Sequence, residues 1–429
     1  MRRVVITGMG VVSPLGNTID AFWHGLVSGR SAVKSLKDIT HCDLFERLGA
    51  EFASQVIAEV EQFEEAQQLP DHIRQRDRYV QFAVAAALEA VRDAHLDESS
   101  AAIRDHWGIA FTTAVGPAQA TEAAYCQATQ NGTEAVDPAK IPPEFYLDLI
   151  CNAPALLLAQ LFNVHGPCDT LSSACASGLD IIGHAYESIQ DGDAMIMLAV
   201  GSEAPIAPNR FGACDIVHCL AADFNDEPQR ASRPFDKKRD GFVMSEGAGA
   251  LLLEERDHAV SRGAHIYAEI TGFGLANNAT HMISLKPAVA PHLTRAIKQA
   301  MCEAGLTPEN IHYINPHASS TSQNDQTETR AIKGALGAHA YEVPMSATKS
   351  EIGHSLGSAS FFGAIAATLS LTEGMIHPTI NYEEPDPLCD LDYVPHTARE
   401  FTGTNALVIA SGFSGIHTTI ALQKVERYV

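Results

Sequence analysis

Strand-like and helix-like runs alternate along this chain, and no other feature of the sequence narrows its fold so far. RRVVITGMG and WGIAFTTAVG read as short, apolar, buried strands, whereas RYVQFAVAAALEAVRDAHL repeats its apolar residues at helical spacing. Chains patterned this way pack helices over a central sheet, the α/β arrangement. Set against itself at a shift of 210 residues, the chain aligns AVRDAHLD (Ala90–Asp97) with AMCEAGLT (Ala300–Thr307), each closing a helical pattern ahead of a strand candidate. The offset predicts two related halves, meeting in the polar stretch LEERDHAVSRGAHIY at residues 253–267. At 429 residues each half has length enough for its own core.

The formal charge of -23 opposes a nucleic-acid surface or general attraction to an anionic membrane. No apolar run approaches the roughly 18 residues a spanning helix needs, and Pro14 and the glycines break up the N-terminal MRRVVITGMGVVSPLG too early for a signal segment. Nine cysteines, odd in number, scattered and never in a CxxC pair, argue against a disulfide framework or zinc ribbon and point to a reducing cytoplasm. No compact set of metal-ligand residues accompanies the histidines, so no metal is expected.

One thiol stands in a chemically suggestive place. After Gly166-Pro167, CDTLSSACASGLDIIGHAYESIQDGDAMIMLAVGSEA reads as strand end, tight turn of small residues, helix and buried strand, with Cys175 at the helix entrance. Free N–H groups and the positive end of the helix dipole favour a thiolate there and can bind a developing oxyanion, while small neighbours leave room for substrate. The alternative is a cysteine serving as a small core residue. Two histidines, His317 in INPHASSTSQND and His354 in TKSEIGHSLGSAS, lie among small or polar residues after strand-like runs, where catalytic groups gather.

Taken together, ACASG, NPHASST and KSEIGHSLG resemble the motifs of the β-ketoacyl-acyl carrier protein synthases of the thiolase-like superfamily. The resemblance extends from VVITGMGVVSPLGN through ASRPFDKKRDGFVMSEGAGALLLE to ASGFSGIHTT. It implies a thiolase-like fold of two pseudo-duplicated βαβ halves in a layered α-β-α-β-α architecture, residues 1–255 carrying the nucleophile and 256–429 both histidines. It makes Cys175 the acyl acceptor, His317 and His354 the pair that handles the malonyl thioester, and Lys349 a support for the histidines. Phe413 matches the gating aromatic, its N–H joining that of Cys175 in an oxyanion hole. Ser319 and Thr321 fall where hydroxyls contact the phosphopantetheine arm, although loop hydroxyls more often cap backbone. No cofactor is expected on the chain itself; substrates arrive on the phosphopantetheine of acyl carrier protein.

The pattern departs from the family in three places: Pro316 and Ala318 flank His317 where AHG is common, and Gly363 stands where many relatives carry a glutamate. The stretches NDEPQRASRPFDKKRDGFV, RGAHIYAEITGFGLANNATHMISLKP and EEPDPLCDLDYVPHTARE look more like type II polyketide ketosynthase alpha subunits than fatty acid enzymes. That branch implies a heterodimer with a chain-length factor, the fatty acid alternative a homodimer. An acidic carrier needs a local basic patch, for which Arg74, Arg76 and Arg78, or Lys237, Lys238 and Arg239, are the candidates. Two other readings compete. GHSLG satisfies GxSxG with Ser355 as a hydrolase nucleophile and Asp386, Asp392, His396 or His417 as partners, and a catalytically silent scaffold would keep only partner binding. Gly8-Met9-Gly10 and Gly272-Phe273-Gly274 begin a dinucleotide motif but fail at its third glycine.

Overall fold

The computed structural model describes residues 1–49, 51–63, 69–96, 101–143, 145–280, 289–413 and 415–425. Asp97, residues 281–287 of one branch-marking stretch, and Ser414 lie outside them.

Nine strands form one mixed sheet: β1 Val4–Val12, β2 Trp107–Thr112, β3 Cys168–Leu171, β4 Ile196–Glu203, β5 Gly247–Glu255, β6 Ala268–Asn277, β7 Tyr313–Asn315, β8 Asn405–Ser411 and β9 Ile416–Lys424. Their order is β7-β8-β9-β6-β1-β5-β4-β2-β3. β1 runs antiparallel to β5 along its length and pairs through Val4–Ile6 with β6, so a single strand stitches the halves together.

The pleat divides each strand between two cores. Ile109, Phe111, Leu198, Val200 and Leu252 face an outer core under helix α1, Arg78–Asp93. Their neighbours Ala110, Met197, Ala199, Leu251 and Leu253 face a central core, as period-two alternation requires. In the other half Leu407, Ile409 and Ala421 meet helices α3, Ala290–Glu303, and α4, Ser322–Leu336, while Ala406, Val408 and Ile420 turn inward. Two further helices, α2 Ser177–Asp191 and α5 Ala359–Glu373, fill that central core between the sheet halves. Helix, sheet, helix, sheet, helix is thus the layering, and each fully buried Leu, Ile or Phe contributes about 1.5–3 kcal/mol to it.

The offset of 210 residues relates helix α1 to helix α3 in a structural repeat, whose underlying strands recur at a longer spacing. Gly8 and Gly10 lie so close under α1 that an added Cβ would fall 2.2 and 2.0 Å from the carbonyl oxygens of Ala90 and Ala86. Gly272 and Gly274 lie at the same distances under Ala300 and Ala296 of α3. The two incomplete dinucleotide motifs are therefore contact points where a helix rests on a strand. Even the helix-end carboxylates match, since Asp93 accepts from the Met9 N–H at 2.9 Å and Glu303 from the Phe273 N–H at 3.1 Å. The stretch at 253–267 is the end of β5, one short helix (Arg256–Ser261) and the approach to β6. No helix among the described residues is long and apolar enough to cross a membrane.

Candidate active site

β3 ends at Leu171, and a tight 3-10 turn, Ala174–Ala176, leads into α2. Ala174 takes a left-handed φ of 53°, which sharpens the bend and sets Cys175 against the turn Gly412-Phe413 between β8 and β9. A Cβ on Gly412 would lie 2.9 Å from the Ser173 carbonyl and 3.3 Å from the Cys175 nitrogen, so only glycine allows this approach. The Phe413 N–H donates to the Cys175 sulfur.

Burial outweighs everything else acting on that thiol. It pushes Cys175 up to about 12, against the opposing Phe413 hydrogen bond and the nearby Lys349 charge. Against the expectation of a thiolate at the helix end, Cys175, 8% exposed, rests as a thiol, because burial penalises the charged form by more than the Phe413 hydrogen bond and the Lys349 charge return.

His317 follows β7 and is held by its backbone. Its N–H and that of Ala318 donate to the Glu328 carboxylate at 2.6 and 2.8 Å, and Lys349 Nζ donates to its carbonyl at 2.6 Å. His354 follows a single helical turn, Lys349–Ile352, and not the strand anticipated, because extended pairing here is reduced to isolated bridges, Ile314 with Met345 and His354 itself with Met244. The two imidazoles meet edge to face with centroids 5.3 Å apart. The Leu356 N–H donates to His354 Nδ1 at 3.2 Å, so the neutral ring carries its proton on Nε2. Burial first, then the Lys349 charge, holds both histidines well below the usual range, so both are neutral near pH 7. Burial likewise lowers Lys349 to about 8 and raises Glu328 to about 7. A thiol under one backbone donor, a neutral Nε2–H donor and a second neutral imidazole are equipped to take an acyl group and steady an oxyanion.

Two family models for the condensing enzymes between them cover Cys175 and both histidines: Beta-ketoacyl synthase, N-terminal domain over residues 1–259, and Beta-ketoacyl synthase, C-terminal domain over 267–383. The chain belongs to the β-ketoacyl synthase family. Relatives of this ketosynthase include the Putative polyketide beta-ketoacyl synthase 1 of Streptomyces halstedii, 41% identical over 99% of each chain. A 3-oxoacyl-[acyl-carrier-protein] synthase 2 from Synechocystis is 39% identical over 99% of each. Among solved structures, the complex of a type II PKS acyl-carrier protein with its ketosynthase bound to the hexaketide superposes with a TM-score of 0.91 at 38% identity, covering 99% of this chain and 100% of that one.

Ser319 and Thr321 bond each other, Oγ to Oγ1, at 3.0 Å, and Thr321 stands at the N-cap of α4 without capping it, so neither hydroxyl serves the helix end. In place of glycine after the first histidine, this ketosynthase holds Ala318, fully buried, at a φ of 43°. The space beside Gly363 is taken by Asn315, whose Oδ1 lies 2.4 Å from where a Cβ would be. Asn315 donates to the Ser346 carbonyl at 3.2 Å and accepts from Thr348 at 3.4 Å. A glutamate at Gly363 and the present Asn315 cannot share that volume.

Three readings need correction. Ser355 is buried, bonded to Ser358 Oγ at 2.9 Å, while Asp386 pairs with Arg239, Asp392 with Arg399, and His417 with Ser411, so no hydrolase triad forms. Neither basic cluster is a free patch: Arg78 is bound to Glu246 and stacked on Phe82, and Arg239 is buried between Asp325 and Asp386. Arg76 faces Asp148 and Lys238 is paired with Glu384, which leaves Arg74 and Lys237 exposed. Sequence reasoning passed over Glu328, which lies just beyond the INPHASSTSQND stretch; two acidic residues three apart on the buried face of a helix, Asp325 and Glu328, were the available signal.

Proposed function

We propose that this ketosynthase extends an acyl chain by decarboxylative condensation on Cys175, iteratively and in a type II polyketide pathway. What supports the site assignment most directly is the Phe413 N–H bonded to the Cys175 sulfur, together with the Lys349 charge that acts on that thiol and on both neutral histidines. Because the thiol rests protonated, its proton passes to a neutral imidazole as the sulfur attacks the carrier thioester. The C–S bond to the carrier then breaks, and the carrier thiol leaves with a proton. Malonyl carrier follows. Its C–C bond to the carboxylate breaks, CO2 departs, and the electron pair becomes an enolate whose oxygen accepts from His354 Nε2–H, with His317 alongside. The enolate carbon attacks the acyl-Cys175 carbonyl; the C–S bond breaks, the β-ketoacyl chain leaves on the carrier, and the freed Cys175 thiolate takes one proton from solvent, the proton that decarboxylative condensation consumes.

In this reading Lys349 orients the His317 loop, Phe413 supplies the oxyanion donor and gates the pocket, and Ser319 and Thr321 bind the phosphopantetheine arm. Residues 1–255 bring the nucleophile and 256–429 the histidines. Substrates come on acyl carrier protein, which the exposed Arg74 and Lys237 can meet. A second chain is supported by asymmetry of the sheet edges. β7 is buried at one end, whereas β3 is open at the other and packs against the Ala153–Phe162 helix, which carries the exposed Leu156. A related chain-length factor fits the polyketide reading; a second copy fits fatty acid elongation, which the likeness to the Synechocystis synthase favours. All nine cysteines are free, in keeping with the cytoplasm.

Incubation with acyl- and malonyl-carrier proteins, alone and with candidate partner subunits, tests this by intact-protein mass spectrometry. Acylation at Cys175 followed by malonyl-dependent extension is expected, with extension requiring a partner if the polyketide reading holds. Acylation surviving in Cys175→Ala overturns the site.

A further inference from the structure

His417 takes no part in the mechanism above, yet it stands one hairpin pair below the oxyanion donor. β8 and β9 are antiparallel, and Ser411 and His417 are their last paired residues before the turn that carries Phe413. Across this pair Ser411 Oγ and His417 Nδ1 are hydrogen-bonded at 2.9 Å, both residues being buried. Above it the turn is closed by Gly412 N–H to the Ile416 carbonyl at 2.8 Å and Gly415 N–H to the Gly412 carbonyl at 3.1 Å.

The other ring nitrogen, Nε2, is buried without a hydrogen-bond partner among the described residues. Leaving it so is costly, and the Ser411 bond is the polar contact the ring keeps in return. Burial, then the charge of His292, pushes His417 down to about 4, so the ring is neutral at working pH and the bond persists through it. Nor is there slack between the turn and the nucleophile, given the contact of Gly412 with Ser173 and Cys175. On its far side the turn is held separately, by the Asn278 N–H donating to the Gly415 carbonyl at 2.9 Å.

We propose that His417 is a positioning residue: through Ser411 it clamps the base of the 411–417 hairpin and so holds the Phe413 N–H on the Cys175 sulfur. The inference rests on the roles given above to Cys175 and Phe413. Loosening the clamp displaces the donor by a fraction of an ångström, and misplacement on that scale slows reaction by about an order of magnitude.

The test compares Ser411→Ala, His417→Leu, His417→Asn and the Ser411→Ala/His417→Leu double variant of the full chain, following acylation by acyl carrier protein and thermal melting. His417→Leu and Ser411→Ala are each expected to acylate about tenfold more slowly, and the double variant no more slowly than either. His417→Asn, which offers an amide near the Nδ1 position, should recover to within about threefold. Wild-type rates in both single variants, or effects that multiply in the double, overturn the clamp; if His417→Leu fails to fold, a wild-type rate in Ser411→Ala does so alone. Cys175→Ala runs alongside: inactive with the His417 variants unaffected, it removes only the clamp, whereas residual acylation removes the site reading beneath it.

Discussion

The turn that carries Cys175 has a twin. Ala174–Ala176 is a 3-10 turn opening at a left-handed Ala174, φ 53°, and running into a 15-residue helix that ends at a left-handed Gly192. Leu356–Ser358 is a 3-10 turn opening at a left-handed Leu356, φ 50°, and running into a 15-residue helix that ends at a left-handed Gly374. The helices lie together in the central core, and at this correspondence Cys175 matches Gly357, while His354 falls where the first turn has Ser172. The GHSLG sequence thus mimics a nucleophile elbow because its backbone is one, except that the nucleophile's position holds Gly357 and Ser355 is folded inward. Gly357 is glycine for lack of room: a Cβ there would lie 2.7 Å from both the Ala114 nitrogen and Glu203 Oε1. The duplicated fold supplies two equivalent elbows that touch each other, and in the proposed mechanism their side chains divide the chemistry, one giving the thiol and the other a histidine.

The sharpest way to break this comparison is to exchange the two candidate nucleophiles. Cys175→Ala should lower acyl transfer by about 10³-fold or more, whereas Ser355→Ala should stay within a few-fold of the parent rate; the reverse in a carrier-acylation assay would make the second elbow the working one.

Next in size is the pH dependence of the first elbow's thiol. With the folded pKa raised to about 12, thiolate at neutral pH is scarcer than in an ordinary cysteine by about 10³-fold. Alkylation of Cys175 by iodoacetamide should therefore be slow and still climbing above pH 10. A plateau below pH 8 would mean that the helix end and Lys349 prevail over burial.

Gly357→Ala should destabilise the protein by about 1–3 kcal/mol, since the obstacles are a backbone amide and a buried carboxylate held by that loop. Chemical denaturation reads this directly, and an unchanged midpoint would show that the second elbow has room the contacts deny. The smallest effects should differ in sign between the twins. Ala174→Gly relieves the left-handed strain and should gain up to about 1 kcal/mol, while Leu356→Gly relieves the same strain but gives up a buried side chain, a net loss visible as a lower melting temperature.

Much of this was legible before any coordinates. The apolar periods of RRVVITGMG and RYVQFAVAAALEAVRDAHL correspond to β1 and α1, and the offset of 210 residues to the glycine contacts beneath α1 and α3. Cys175, His317 and His354 stood out by local chemistry and motif, and the structure brings the thiol turn, the histidine pair and Lys349 together. Less legible were Glu328 and Asn315, whose importance lies in contacts: an acid reaching back to two backbone N–H groups, and an amide filling the volume that Gly363 leaves. Nothing in their spacing announces a partner. The arginine clusters misled for a related reason, since adjacency in sequence is silent about which carboxylate neutralises Arg78 or Arg239 inside the fold.

By itself the sequence determined the succession of strands and helices, the duplication and the motifs that single out the candidate reacting groups, because these depend on side-chain period and on chemistry carried residue by residue. The tertiary structure alone decided the protonation of those groups and the place of the second elbow. A thiol moved to about 12 and histidines kept neutral are consequences of burial by segments remote in the chain, and desolvation is a property of the packed environment, which no local stretch encodes.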